Sequence, residues 1–302
     1  MATYSRRNFL QLSAAVGIGA QQQLVPAMAS EPGTKWPLGL IVIVKDNPEA
    51  AVRKVHDLGL PTCEIFTENF DDEMASRLVH SLQRYGIRAT SLFSMGPGRL
   101  VWDFYEGPLT IGLVPRETRR ARIESLKKAS DFAKRCGIPA LHTHCGFIPE
   151  NPNDALYKET VIAIREVASH CKAHGQLFLY HTGQETPITM LRAIEDVGLD
   201  NQGVGLDTAN FVLYDRANPV DALDVLGPHV RAIHAKDGFY PTDPKKLGRE
   251  VPIGQGKVDF PNFFRRLREL GYRGAVTIER EISGPQQVED VRRSITYLRR
   301  LV

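Results

Sequence analysis

Eight short apolar segments alternate with longer amphipathic segments along this chain of 302 residues. β-Branched or apolar runs followed by helical spacing are typical of parallel βα units. Eight such units predict an α/β fold, a single-domain (β/α)8 TIM barrel. Glycines recur at several points where a helix would end and the next strand begin, which favours the same repeating unit.

The predicted strands share a β-branched or apolar composition and cover residues 38–44, 62–67, 88–93, 138–143, 176–181, 203–207, 230–235 and 275–279. Helical spacing predicts helices at 48–58, 71–85, 116–135, 154–174, 188–197, 260–270 and 286–298. Two longer connections, 94–114 and 237–258, follow strand carboxyl ends, so we expect them to overhang the face where barrels place their chemistry. Trp102, in the first of them, is a candidate for contact with a substrate ring.

The composition is that of an ordinary globular enzyme, with 42% hydrophobic and 24% charged residues. The net charge is +3, and Arg6 and Arg7 are the only charges among the first 29 residues, which leaves 36 basic against 35 acidic residues in the remainder. This balance excludes a strongly basic surface for nucleic acid or an anionic membrane. The four cysteines lack the paired spacing of a redox or zinc motif, so we expect separate thiols.

Residues 1–29 resemble a bacterial twin-arginine signal peptide, with Arg6 and Arg7 before a short apolar stretch and Ala27 and Ala29 at the end. The resemblance implies passage through the twin-arginine export machinery and a periplasmic location, with no membrane insertion after signal removal. We therefore assign residues 1–29 to a signal and residues 30–302 to the barrel. Because this route carries folded proteins, a weakly bound metal such as Mn²⁺ can be loaded before export.

Four candidate metal ligands stand at the ends of four successive predicted strands. They are His181, Asp207, His234 and Glu279. Side chains at the carboxyl ends of neighbouring parallel strands can converge above the barrel axis. Two imidazoles and two carboxylates suit a divalent cation, for which Mn²⁺ is our first expectation, with Co²⁺, Fe²⁺ or Zn²⁺ as alternatives.

Three further segments carry a family resemblance. GLDTANFVLY (205–214), HAKD (234–237) and PIGQGKVDFPNFFRRLRELGYRGAVTIERE (252–281) resemble the xylose-isomerase-like barrels, the sugar isomerase and epimerase superfamily that includes inosose dehydratases. The resemblance implies a metal-dependent enzyme that removes a proton beside the carbonyl of a small carbohydrate, with Glu279 as base. It also exposes a departure, because position 181 is histidine where the family pattern has glutamate.

Other candidates surround this set. Beside Glu279, we assign catalytic roles to His144 near the end of the fourth strand, to Lys236 in the HAKD segment, and to Glu185 as a replacement base. His142, Glu64, Asp237 and Trp102 are the predicted substrate-binding residues.

Three functions remain open at this point. The first is a sugar isomerase or epimerase, and the second is a lyase or hydratase acting on a keto-sugar or keto-glycoside, which the histidine at 181 favours. The third is a non-catalytic sugar-binding or accessory subunit. The sequence leaves homo-oligomer formation open.

Overall fold

The structure is a computed structural model that describes residues 36–302. The signal predicted for residues 1–29 lies outside the described residues and stays a prediction. Eight parallel strands close into a barrel: β1 (Leu38–Ile43), β2 (Thr62–Phe66), β3 (Arg88–Phe93), β4 (Ala140–Thr143), β5 (Leu177–His181), β6 (Gln202–Asp207), β7 (Val230–Ala235) and β10 (Val276–Ile278). The order around the barrel is β1, β10, β7, β6, β5, β4, β3, β2, so the predicted fold class is confirmed.

Helices follow every barrel strand. They are α1 (Pro48–Asp57), α2 (Asp72–Tyr85), α3 (Gly107–Thr110), α4 (Arg116–Arg135), α5 (Ala155–Ala173), α6 (Pro187–Val197), α7 (Thr208–Leu213), α8 (Pro219–Leu226), α9 (Phe260–Glu269) and α10 (Pro285–Leu298), with a 3-10 turn at Gly227–His229. Side-chain caps start several of them, as where Asn47 accepts from Ala50 N and Asp71 from Met74 N. Within residues 36–302 no helix is long and apolar enough to cross a membrane.

The sequence prediction missed several small elements. The short helices α3, α7 and α8 lack the long amphipathic stripe that reveals a barrel helix, and α7 is buried at every position. The connection after β7 folds into an antiparallel pair, β8 (Asp237–Phe239) and β9 (Arg249–Val251). It meets the connection after β3 at an isolated bridge between Asp103 and Lys246 and through a hydrogen bond from Phe104 N to Lys245 O (3.3 Å). The two long connections therefore cover the mouth together.

The main core lies between the barrel and its helices. Leu38, Leu40 and Val42 of β1 are buried and belong to the same apolar cluster as Val52 and Val55 of α1. Because side chains alternate along a strand, the intervening residues face the barrel interior. The interior positions nearest the strand carboxyl ends are the ones that carry the candidate functional side chains.

Candidate active site

Four side chains from consecutive barrel strands meet at the carboxyl-terminal mouth. His181 and Asp207 end β5 and β6, His234 is the next to last residue of β7, and Glu279 directly follows β10. The register sets Asp207 beside His234. One ligand atom from each of the four lies within 4.8 Å of the others. The four residues predicted to bind metal thus form one cluster.

The Asp207 carboxylate has one engaged oxygen and one free oxygen. Its Oδ1 begins α7 by accepting hydrogen bonds from the backbone of Ala209 (2.8 Å) and Asn210 (2.9 Å). Its Oδ2 is buried, has no hydrogen-bond partner, and lies 3.5 Å from His181 Nε2 and 3.6 Å from Lys236 Nζ. Burial raises the pKa of Asp207 to about 7, so the charge on this carboxylate is costly unless a proton or a cation neutralises it.

A chain of hydrogen bonds fixes the orientation of His181. The ionised Glu64 cannot donate, so His142 Nδ1 donates to Glu64 Oε2 (3.1 Å), and His142 Nε2 then accepts from His181 Nδ1 (3.1 Å). His181 Nε2 is therefore an unprotonated nitrogen, which faces Asp207 and accepts from Asn210 Nδ2 (3.1 Å). Ser91 donates a further hydrogen bond to Glu64.

His234 lies between two carboxylates. Its Nδ1 donates to Glu279 Oε2 (2.6 Å), and its Nε2 lies 3.0 Å from Glu64 Oε1, in contact but without hydrogen-bond alignment. Burial opposes a charge on the imidazole, yet the two carboxylates raise the pKa of His234 well above its ordinary value. Glu64 thus contacts one candidate ligand directly and orients a second, His181, through His142.

Lys236 places a buried ammonium beside the cluster. Its Nζ donates to Glu281 Oε1 (2.7 Å) and Asn210 Oδ1 (3.3 Å), and lies 3.6 Å from both Asp207 Oδ2 and Glu279 Oε1. Burial would lower the pKa of Lys236, but the surrounding carboxylates raise it well above its ordinary value. The ammonium is therefore a fixed positive charge at the mouth.

His144 presents one free ring nitrogen. Gln184 donates through Nε2 to the Tyr214 hydroxyl (3.1 Å), which turns Gln184 Oε1 toward His144 Nδ1 (2.9 Å). Because the amide oxygen only accepts, His144 carries its proton on Nδ1 and keeps Nε2 unprotonated. Burial lowers the pKa of His144 to about 3, and the Trp102 ring lies 5.2 Å from the imidazole.

Close packing holds these imidazoles in place. The Phe93 ring centroid lies 5.0 Å from His142, 5.1 Å from His181 and 5.7 Å from His144. Strand β6 has glycine at position 205, where an added Cβ would stand 2.1 Å from His142 Nε2. Only glycine leaves room for this histidine.

A family model agrees with this geometry. The model described as the xylose isomerase-like TIM barrel matches residues 52–301. The chain belongs to this family.

Relatives of known structure or name support the assignment. A xylose isomerase domain protein from Planctomyces limnophilus has a crystal structure that is 34% identical, with a TM-score of 0.84 over 88% of this chain and 97% of that one. A human protein named putative hydroxypyruvate isomerase is 23% identical over 235 residues, or 70% of this chain and 76% of its own length. The 3-keto-D-glucoside 4-epimerase of E. coli shares the fold, with 15% identity and a TM-score of 0.66 over 88% of this chain and all of that one.

Family epimerases typically use a divalent metal, and the residues of this xylose isomerase-like barrel fit one. If a metal ion took the place of the His234 proton, the buried carboxylates of Glu64, Asp207 and Glu279 and the ammonium of Lys236 would sum to a charge of −2. A divalent cation would balance this charge, and Asp207 Oδ2 is a buried oxygen of the four-residue cluster that has no hydrogen-bond partner. Two imidazoles and two carboxylates are also a ligand set that borderline divalent ions accept.

The structure keeps three predicted residues away from free contact with a substrate. Asp237 accepts backbone hydrogen bonds at both carboxylate oxygens, from Gly238, Gly254, Gly256 and Val258, and so organises its own loop. Glu64 is enclosed by Ser91 and the two histidines described above. Glu185 is buried, neither carboxylate oxygen has a hydrogen-bond partner, and burial raises its pKa to about 8. We therefore assign neither substrate binding to Asp237 or Glu64 nor catalysis to Glu185.

Sequence reasoning missed Phe93 and Gln184, two residues that shape the site. Both had a usable signal. Phe93 ends β3 on the alternation that places Ser91 in the interior, and Gln184 lies in the polar turn that follows His181. The sequence could therefore have placed both residues near the mouth. Neither residue type suggests metal chemistry, so their roles become visible only from their contacts.

Proposed function

We propose that this protein is a divalent-metal-dependent enzyme that abstracts a proton beside the carbonyl of a small carbohydrate, as a sugar isomerase or epimerase. The convergence of His181, Asp207, His234 and Glu279 within 4.8 Å carries this proposal. The names of the human and E. coli relatives, an isomerase and an epimerase, support the same reaction class.

His181 Nε2, Asp207 Oδ2, His234 Nδ1 and a Glu279 oxygen are the atoms that would hold the metal. A bound divalent cation would polarise the substrate carbonyl as a Lewis acid. Mn²⁺ remains our first expectation, with Co²⁺, Fe²⁺ or Zn²⁺ as alternatives. Glu64 positions His234 by contact and His181 through His142, a supporting role that carboxylates commonly have behind ligating histidines.

Glu279 is the base best suited to remove the proton. It is the most accessible carboxylate of the cluster, since 12% of its side chain is exposed while Asp207 is fully buried. Burial alone would raise its pKa, but Lys236 and His234 hold the pKa of Glu279 well below its ordinary value. The carboxylate is therefore ionised and ready to accept a proton.

His144 is the second base on the opposite wall. In the barrel order β10 and β4 are four strands apart, which makes them diametrically opposite in a barrel of eight. Glu279 follows β10 and His144 follows β4, so the carboxylate and the imidazole belong to opposite sides of the mouth. An epimerase needs two opposed groups of this kind, and His144 supplies the one that histidine at position 181 does not.

Lys236 contributes charge stabilisation. Its ammonium is held by Glu281 and Asn210, so it needs no rearrangement when negative charge develops on a substrate oxygen. A lyase acting on a keto-sugar could use the same base and the same ammonium. The two opposed groups favour isomerisation or epimerisation, and product analysis separates these outcomes.

Exchange of substrate hydrogen in D₂O tests the proposal. Metal-loaded parent protein, incubated with hydroxypyruvate and a panel of ketoses, should incorporate deuterium beside the carbonyl, and Glu279→Gln should abolish exchange of the hydrogen on the face assigned to Glu279. His144→Asn should retain exchange yet lose inverted product, because one base can still remove and return a proton on one face. His56→Asn, at a surface histidine, is the matched control. Undiminished exchange in Glu279→Gln would contradict the assigned base.

A further inference from the structure

A second cluster of metal-binding side chains lies on the outside of the barrel. It joins the carboxyl-terminal parts of α4 and α5, which lead into the amino ends of β4 and β5, at the opposite end of the barrel from the mouth. Its members are Asp131 on α4 and His170 and His174, four residues apart on and just after α5. One ligand atom from each of the three lies within 4.8 Å of the others.

Asp131 lies against both imidazoles. Its Oδ1 lies 2.8 Å from His170 Nε2 and 3.5 Å from His174 Nε2. The two imidazole rings stand 4.7 Å apart between centroids. A carboxylate oxygen and two imidazole nitrogens therefore share one small, partly exposed space.

The hydrogen bond at Nδ1 determines which ring nitrogen of His174 carries the proton. Gln176 donates through Nε2 to the carbonyl of Ser130 (3.1 Å), so Gln176 Oε1 is the atom that accepts from Ser130 Oγ (2.6 Å). The single hydroxyl proton of Ser130 is thereby used. His174 Nδ1, 3.1 Å from Ser130 Oγ, must then be the donor of that hydrogen bond.

The neutral His174 consequently has an unprotonated Nε2. This nitrogen faces the Asp131 carboxylate, so two acceptors oppose each other with no proton between them. A divalent cation satisfies both acceptors at once.

We propose that Asp131, His170 and His174 form a second divalent-metal site, which takes a borderline ion such as Zn²⁺. Histidines at i and i+4 on one helix face are a spacing that binds zinc. His170 ligates through Nε2 after its proton moves to Nδ1, and water completes the coordination. The ion ties α4 to α5 on the outer surface of the barrel.

Zinc titration of the full chain against a chromophoric chelator tests this site. The protein is first stripped of metal, and two binding classes are expected in the parent. His174→Gln and His170→Gln should each weaken one class by about tenfold or more, since even supporting residues of a metal site cost 10–100-fold when removed. Asp207→Asn should affect only the other class.

The matched control is His56→Gln. His56 Nδ1 lies 3.2 Å from Asp57 Oδ1, a surface histidine and carboxylate pair that lacks a second imidazole. This variant should bind zinc as the parent does, and circular dichroism should confirm that every variant is folded. Cu²⁺ bound in the Asp207→Asn background should show nitrogen hyperfine coupling by electron paramagnetic resonance. Parent-like zinc binding in the His170→Gln, His174→Gln double variant would overturn the proposal without touching the function proposed for the mouth.

Discussion

The two halves of the barrel mouth differ in the side chains at their strand ends, although both are built from parallel strands. Strands β1 to β3 end in Ile43, Phe66 and Phe93, whereas the ends of β4, β5, β6, β7 and β10 carry the imidazoles, two of the carboxylates and Lys236. Ile43 is 64% exposed at this rim, and Phe66 packs on Phe93 with ring centroids 5.7 Å apart. The apolar half therefore presents a hydrophobic wall to the ionisable half.

The difference indicates that the two halves of the mouth have different roles. Phe93 contacts the histidines of the ionisable half and keeps water from them, and a dry environment strengthens each ionic contact. The ionisable half supplies ligands and bases. We expect changes in the ionisable half to affect chemistry and, apart from Glu64 on β2, which contacts the imidazoles, changes in the apolar half to affect substrate affinity.

The largest effect is expected at Glu279. Glu279→Gln keeps the shape of the side chain but removes the proton acceptor, so kcat should fall by roughly 10³-fold, within the usual range for a general base. The measurement is steady-state turnover of the substrate found in the exchange panel. Glu281→Gln, two residues away and 58% exposed on its side chain, is the matched control and should cost far less. Equal losses of kcat in the two variants would mean that negative charge beside Lys236, and not the base, determines the rate.

A stability effect is expected at Glu185, in the loop after β5. Its folded pKa of about 8 lies above the ordinary value of 4.5, so the folded state holds a proton that the unfolded state releases. Its stabilising contribution is complete below pH 4.5 and is lost as the pH rises toward 8. Glu185→Gln should therefore gain about 2 to 4 kcal/mol in unfolding free energy relative to the parent between pH 5 and pH 8.

Urea unfolding at both pH values measures this difference. Glu195→Gln, at an exposed residue of α6, should show the same pH dependence as the parent. A parent curve that runs parallel to the Glu185→Gln curve would show that the carboxyl group is solvated or paired.

The effect expected at Glu64 concerns metal affinity. Glu64→Gln leaves a group of the same size beside His142 and His234, but the neutral amide removes the negative charge that faces both imidazoles, so metal affinity should weaken by about 10–100-fold. Calorimetric titration with Mn²⁺ gives this ratio. Glu68→Gln is the control, because Glu68 accepts from Ser94, Met95 and Gly96 and touches no imidazole.

The smallest effect is expected at Trp102, on the connection that covers the mouth. Trp102→Ala removes an aromatic ring that stands 5.2 Å from His144 and is 45% exposed, so KM should rise by about tenfold. Metal affinity should stay at the parent value. Tyr105→Ala, whose ring instead packs under Lys245, should leave KM unchanged. A lower metal affinity in Trp102→Ala would contradict the claim that this side of the mouth affects substrate affinity alone.

The fold was predictable because each barrel strand and each long helix has its own periodicity. Predicted strand limits agree with the structure within two residues, and the four candidate ligands followed from their places at strand ends. The role of Glu64 was not predictable, since its carboxylate acts on residues 78 and 170 positions away in the sequence. The loop role of Asp237 was hidden for a related reason, because its partners are backbone groups of a folded connection.

Metal stoichiometry tests the central claim most directly. We would measure bound metal per chain after purification without chelator, in a His170→Gln, His174→Gln background that removes the proposed outer site. Asp207→Asn retains a side chain that can still begin α7, so the barrel should fold. The expected result is about one ion per chain in the background protein and in the control Asp221→Asn, and none in Asp207→Asn. Equal metal content in Asp207→Asn and its background would contradict a metal site at the barrel mouth.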